Sequence, residues 1–302
     1  MFTLPDRTPW RQPDPNWTVM DWENAMREAL SQPPLSDVMY KAPFQVYGFM
    51  PQILGQQPEG ELSSVPVFSQ VTRRIFVRLM QDLRSVHQLA TSGYAAGAGA
   101  VASSVSEMAF EVAWVGEDEA RAHAWLKHTQ RNKPVESFGK RWKEVLRQRH
   151  TDPDDQKRAE DFEADIYRSL CMLKHGNSAL QKGLSSYIGD GVEYFTAIPM
   201  LTANTLYAAT FVMFHTTRLC LAAAMDYIIV SRPGTPEDVQ ELVDQGVLLA
   251  TQLTQAMNCA SHVLQVFDQQ EIQREKAWLA RDTMTRPVNT LRGWEERRTH
   301  AW

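Results

Sequence analysis

Residues 66–93 read PVFSQVTRRIFVRLMQDLRSVHQLATSG, and this stretch decides the fold. Its apolar side chains recur at Val71, Ile75, Leu79, Leu83, Val86 and Ala90, close to the 3.6-residue period of an α-helix. Pro66 suits a first turn, where a missing N–H costs no hydrogen bond, and Gly93 suits a stop. The expected element is one long helix from about residue 64, with a single apolar stripe and a polar outer side.

Outward from it the same period continues. A second helix is expected from about Tyr94 to Val115, small at its start (Ala95, Ala96, Gly97, Gly99, Ala100, Ala102) and bulky at its end (Met108, Phe110, Val112, Trp114). Small residues there let another backbone come close. Shorter helices are expected at about Asp118–Gln130 and Glu136–Gln148. Asp152-Pro153 then opens another, with a cap residue, proline at the first helical position and acidic groups at the positive end of the dipole. That helix runs to His175-Gly176. After a stretch holding Gly183, Gly189, Gly191 and Pro199 comes a nearly all-round apolar helix, about Ala203 to Val230, which belongs at the centre of a bundle. The turn Ser231-Arg232-Pro233-Gly234 leads to a strong helix start at Thr235-Pro236-Glu237-Asp238 and a stripe from Val239 to Phe267. No stretch alternates as a strand bounded by turns, so little or no sheet is expected. No repeat of about 20–50 residues marks a solenoid.

The early sequence differs in kind. Nine prolines fall before residue 65, and only Asp21–Ser31 forms a good helical window. Trp10, Trp17, Trp22, Tyr40, Phe44, Tyr47 and Phe49 are too many aromatics for a solvated linker, since burying each is worth about 1.5–3 kcal/mol. The expected organisation is a docked N-terminal arm over residues 1–63, a helical-bundle domain over 64–269 and a C-terminal strap over 270–302. The strap interleaves Trp278, Trp294 and Trp302 with Arg274, Arg281, Arg286, Arg292, Arg297 and Arg298, diluted by Glu271, Glu275, Asp282, Glu295 and Glu296. Stacking on nucleic-acid bases and simple docking on the body are both open to it.

Composition excludes several classes. At 302 residues and 43% apolar content the chain can bury a sizeable core, so it is not disordered as a whole. A net charge of −5 argues against a globally basic nucleic-acid binder, and no DNA partner is expected. Cys171, Cys220 and Cys259 form no CxxC pair and read as reduced core thiols, which suits a cytoplasmic protein. Residues 1–16 lack the apolar region of a secretory signal. Ala208–Val230 is long enough to span a bilayer but carries His215, Arg218 and Asp226, so a core helix is expected and no membrane partner.

Most catalytic motifs fail on context. Gly97-Ala98-Gly99-Ala100-Val101-Ala102 matches a relaxed dinucleotide fingerprint, but a helix rather than a strand precedes it, so close helix packing is expected and no cofactor. Glu119 and His123 stand four apart on one helix with His128 nearby. One such pair makes no metal site, and neither HExxH nor the ExxH of di-iron bundles occurs. No GxSxG elbow or P-loop is present. His215 and Arg218, three apart on the most apolar helix with Asp226 two turns on, must find partners. A buried polar network and a ligand site are both open.

The remaining constellation is Arg168-Ser-Leu-Cys-Met-Leu-Lys-His175. Seven residues turn about 700°, close to two full turns, so Arg168 and His175 lie on one line about 10 Å apart. The core-facing stripe of the same helix is read as Phe162, Ile166, Leu170 and Leu173, which leaves Arg168 and His175 facing solvent or a second surface. His175 also directly precedes Gly176, where a donor meets the free carbonyls of a helix end, so a capping role stands beside a site role.

An Rx4–6H motif on a late helix of an all-α chain resembles the signature of the HEPN superfamily, many of whose members are metal-independent ribonucleases. The stretch from Glu107 to His128, followed by a later helix ending in Lys174-His175, is also similar to an uncharacterised bacterial family of HEPN-like helical proteins. The resemblance covers about residues 68–230. It implies a homodimer with both motif helices in one cleft and RNA as substrate. His175 would be the general base on the ribose 2′-hydroxyl, Arg168 would stabilise phosphate charge, and Glu107 or Glu111 would be an acidic support, with no metal and no cofactor. The sequence thus leads to an all-α multi-helix bundle with long antiparallel helices. Its functional expectation is a HEPN-like endoribonuclease of toxin or defence type, or alternatively a non-catalytic helical interaction or small-ligand-binding protein on the same fold.

Overall fold

Thr18 starts the first helix by a reciprocal cap. Its hydroxyl accepts the Asp21 N–H at 3.3 Å while the Asp21 carboxylate accepts the Thr18 N–H at 2.8 Å, which satisfies two donors that a helix start leaves free. In this computed structural model, residues 18–55, 66–116, 118–128, 136–175, 184, 186–189, 192–195, 197, 200–232 and 234–282 are described. Helix α1 (Val19–Leu30) is followed by a π-helical turn, Asp37–Lys41, and by α2 (Ala42–Gly55). Only the first of these was legible in the sequence. Leu35, Val38, Met39, Val46, Phe49, Met50 and Ile53 are all buried, and they join the same core as the later helices.

Helices α3 (Val67–Thr91), α4 (Ala95–Gly116) and α8 (Ala203–Ser231) make the centre, each packed on the other two. Val71, Ile75, Leu79, Leu83, Val86 and Ala90 are buried, as their spacing requires. Gly93, at φ 87°, stops α3 in a conformation that costs glycine nothing. Helix α8 is long and apolar enough to cross a membrane, and 72% of its most apolar window is buried within the protein.

Helix α9 (Pro236–Asp282) returns along α8 and continues past residue 269. The approach is close at Gly246, where any Cβ would overlap Met225 Sδ. On the other side, α6 (Phe138–Arg149) and α7 (Pro153–Lys174) lie on α4 and on each other, and α5 (Glu119–Lys127) lies against α3 and α4. The start of α7 is capped as its sequence implies, with Asp152 accepting the N–H groups of Asp154 and Asp155 at 2.8 and 3.0 Å.

The chain is an all-α bundle, with one small addition among the described residues. β1 (Ser186–Gly189) and β2 (Val192–Phe195) pair as an antiparallel hairpin with Tyr187 opposite Tyr194. Four residues a side are too few for alternation to stand out in sequence. Residues 1–17, 56–65 and 283–302 lie outside the described residues, and with them Trp10, Trp17, Trp294 and Trp302.

Candidate functional site

Helix α8 is buried nearly all round, and its less covered face carries Phe211, Phe214, His215 and Arg218. Across from it, α7 contributes Phe162 and Glu163. His215 is 6% exposed, and three phenyl rings meet its imidazole at an angle: Phe211 at 4.4 Å between centroids, Phe214 at 4.8 Å and Phe162 at 6.4 Å. Edge-to-face contact of this kind suits the ring quadrupoles. Arg218 follows one turn later. Its two terminal nitrogens donate to the two Glu163 oxygens at 2.7 Å each, and its guanidinium lies 5.5 Å from the Phe162 ring centroid.

The charges in this window are therefore cancelled. Arg218 and Glu163 neutralise each other in a bidentate pair, the strongest form of that contact. Burial, aided by the Arg218 charge, pushes the His215 pKa down to about 3, so the imidazole is neutral at pH 7. Its Nδ1 is sealed from solvent and, among the described residues, meets no hydrogen-bond partner. The same is true of Arg218 Nε. A sealed, unpartnered polar atom costs about 1–3 kcal/mol, and two of them one helical turn apart mark a place where the fold forgoes stability.

Arg168 and His175 fare differently. Helix α7 is continuous through Lys174 with His175 as its C-cap residue, so the two side chains do share a line, and both are exposed. Arg168 donates to Asp165 at 2.6 Å, a pair in which both side chains are about two-thirds open to water. The His175 backbone N–H closes the helix on the Cys171 carbonyl at 2.9 Å. Glu107 is occupied elsewhere: it accepts the Tyr167 hydroxyl at 2.8 Å, and burial, together with that contact, raises the Tyr167 pKa. Glu111 pairs with Arg141, whose side chain is 4% exposed. Burial holds the Glu111 carboxyl above its usual range against the pull of Arg141.

Two expectations need correction. Phe162, assigned to the core stripe, is 52% exposed, because the fully buried positions of α7, Ile166, Leu170 and Leu173, all fall in its second half. The cysteines are not all core thiols: Cys220 is buried, Cys171 partly so, and Cys259 sits on the outer side of α9. Asp226 pairs with Arg149 from α6, while Arg218 takes Glu163. Glu119 accepts the Val67 N–H at 3.0 Å and so caps α3. Among the described residues no three His, Cys, Asp or Glu side chains converge as metal ligands. The Gly97–Ala102 motif lies inside α4, and a Cβ on Gly99 would stand 2.7 Å from Leu173 Cβ, so the glycine serves close packing on α7.

Sequence reasoning missed Glu163 as the Arg218 partner, and the only available signal was the need of a semi-buried arginine for a carboxylate. It also missed His87, boxed by Tyr40 and Phe44 at 5.2 and 5.1 Å between ring centroids. Arg84 lies 3.1 Å from its Nδ1 and can only donate, which makes that nitrogen an acceptor and the ring neutral. Burial and the Arg84 charge push its pKa down to about 4. Comparison with known proteins gives no relative: no family model, no curated protein and no solved structure matches this chain.

Proposed function

We propose that this chain is a non-catalytic small-ligand-binding protein, and that its site is the window walled by Phe162, Phe211 and Phe214 around His215. The observation that carries the reading is the sealed and unpartnered Nδ1 of His215, beside an equally unpartnered Arg218 Nε, in apolar walls with no net charge. Ligand sites are mostly apolar, with a few convergent polar groups, and this window has that composition. The test is a panel of small aromatic fragments at millimolar concentration, followed by thermal midpoint and by the ring resonances of His215. Saturable binding that moves those resonances supports the reading; a panel that leaves them unmoved contradicts it.

A second reading is favoured by a different observation, the exposure of Arg168 and His175 on one line of an unbroken helix. On that reading the protein is a cytoplasmic HEPN-like ribonuclease, and two protomers face their α7 helices across a cleft. His175 takes the 2′-hydroxyl proton and Arg168 meets the phosphate. Asp165, and Asp161 one turn before it, weaken the field that an RNA backbone would meet there. Incubation with total RNA in EDTA decides: cleavage that disappears in His175→Ala moves the assignment to this reading, and no cleavage, or cleavage indifferent to the substitution, removes it.

A further inference from the structure

Between Asp244 and Asp268, helix α9 carries no Asp, Glu, Lys or Arg. At the 22% charged content of the whole chain, those 23 residues would hold about five such groups. One side of the stretch is buried against the body through Leu249, Leu253, Ala260, Leu264 and Phe267. A second stripe runs along an exposed side: Leu248, Gln252, Gln255, Cys259, His262 and Val266. All six are exposed, with Leu248 at 56% and Val266 at 41%. Steps of four and three residues alternate along it, which keeps a stripe in register with a second helix over its whole length.

Charge and symmetry select the occupant. A net charge of −5 makes two copies of this chain repel each other, and the uncharged side of α9 is where that repulsion is weakest. An antiparallel pair of these stripes, centred on Met257, sets Leu248 on Val266 of the second copy, Gln252 on its His262 and Gln255 on its Cys259, and the two-fold repeats each contact. Apolar meets apolar at both ends, an amide meets a ring nitrogen with which it can hydrogen-bond, and the helix dipoles oppose. Parallel pairing would set His262 on its own copy and align the dipoles. We infer that this side of α9 is the contact surface of a homodimer, in which a second copy lies antiparallel along residues 248–266. The stripe is about 27 Å long, and two helices over that length bury on the order of 1,000 Å² in total, at the lower end of specific interfaces, so micromolar dissociation is expected.

The experiment is sedimentation equilibrium of the full chain from micromolar to submillimolar concentration, under reducing conditions so that Cys259 cannot cross-link. A reversible monomer–dimer equilibrium is expected. Leu248→Glu and Val266→Lys should each weaken it at least about tenfold, because each sets a charge against an apolar side chain of the second copy. In the double variant the new carboxylate and the new ammonium face each other across the two-fold, and dimerisation should return to within about threefold of wild type. The two positions stand about 27 Å apart on their own helix, so only pairing between copies can couple them. Both are exposed, and the dilute monomers should unfold at the wild-type temperature. Loss in both single variants with repair in the double variant upholds the inference. A dimer indifferent to either single substitution lies on another face and overturns it. Losses that the double variant does not repair overturn the antiparallel register and the inference with it. A chain that stays monomeric throughout overturns it too and leaves the face to a different protein.

Discussion

Arg218 and Glu163 are joined by two parallel hydrogen bonds of 2.7 Å between α8 and α7. Neither side chain is fully sealed, at 26% and 13% exposure, yet the pair is covered far better than Arg168 with Asp165 at 66% and 70%. Glu163→Gln is expected to cost about 1–3 kcal/mol in urea denaturation, because it leaves a half-buried guanidinium without its counter-charge. Arg168→Ala, on the open surface, is expected to change stability by less than about 0.5 kcal/mol.

Acid should weaken the fold through two histidines. His215 and His87 have folded pKa values pushed down to about 3 and about 4, against 6.5 for the ordinary group. Below about pH 6.5 the unfolded chain takes up protons that the folded chain refuses, so stability falls as pH drops and stops falling on this account near pH 3–4. Each histidine contributes a slope of up to about 1.4 kcal/mol per pH unit within that window. Urea midpoints of wild type and His215→Phe, measured from pH 7 to pH 4.5, should differ in slope by about one proton, with the variant less acid-sensitive.

Close helix contact makes Gly99 hard to replace. Gly99→Ala puts a methyl 2.7 Å from Leu173 Cβ, so α4 and α7 must separate, at an expected cost of about 1–3 kcal/mol. Gly139→Ala is the control. Nothing lies within 4 Å of that Cβ, and alanine in a helix should stabilise by about 0.5 kcal/mol. Thermal unfolding of the two variants reads both signs.

The buried pair of Arg141 and Glu111 gives a further test. Arg141→Met removes a guanidinium that is nearly sealed and leaves Glu111 in a buried site without its counter-charge, at an expected loss of about 3 kcal/mol at pH 7. Adding Glu111→Leu should restore much of that loss, since two apolar side chains can replace a buried pair. A double-mutant cycle in urea measures it.

The bundle was legible where period and punctuation agreed. The Val71–Ala90 stripe, the small residues around Gly99 and the Asp152-Pro153 start all behave as their sequence implies. Residues 32–55 were illegible as helix because Pro33, Pro34, Pro43 and Pro51 break the pattern. Pro43 and Pro51 nevertheless both lie within α2, which continues directly from the π-helical turn, and Leu35 to Ile53 bury their apolar groups through that turn, which a 3.6 period does not describe. The site was half legible. His215 and Arg218 stood out as ionisable residues on an apolar helix, but Glu163 and Phe162 reach them from α7, and only tertiary packing selects between Glu163 and Asp226 as the partner of Arg218.

His215 is a sealed, neutral imidazole whose Nδ1 meets no hydrogen-bond partner among the described residues. A 15N titration of the histidine rings tests it most directly. His215 is expected to show no protonation step between pH 8 and pH 4.5, with an Nδ1 resonance that marks a nitrogen without a hydrogen bond in the free protein; a step near pH 6.5, or a ring already hydrogen-bonded there, would contradict this.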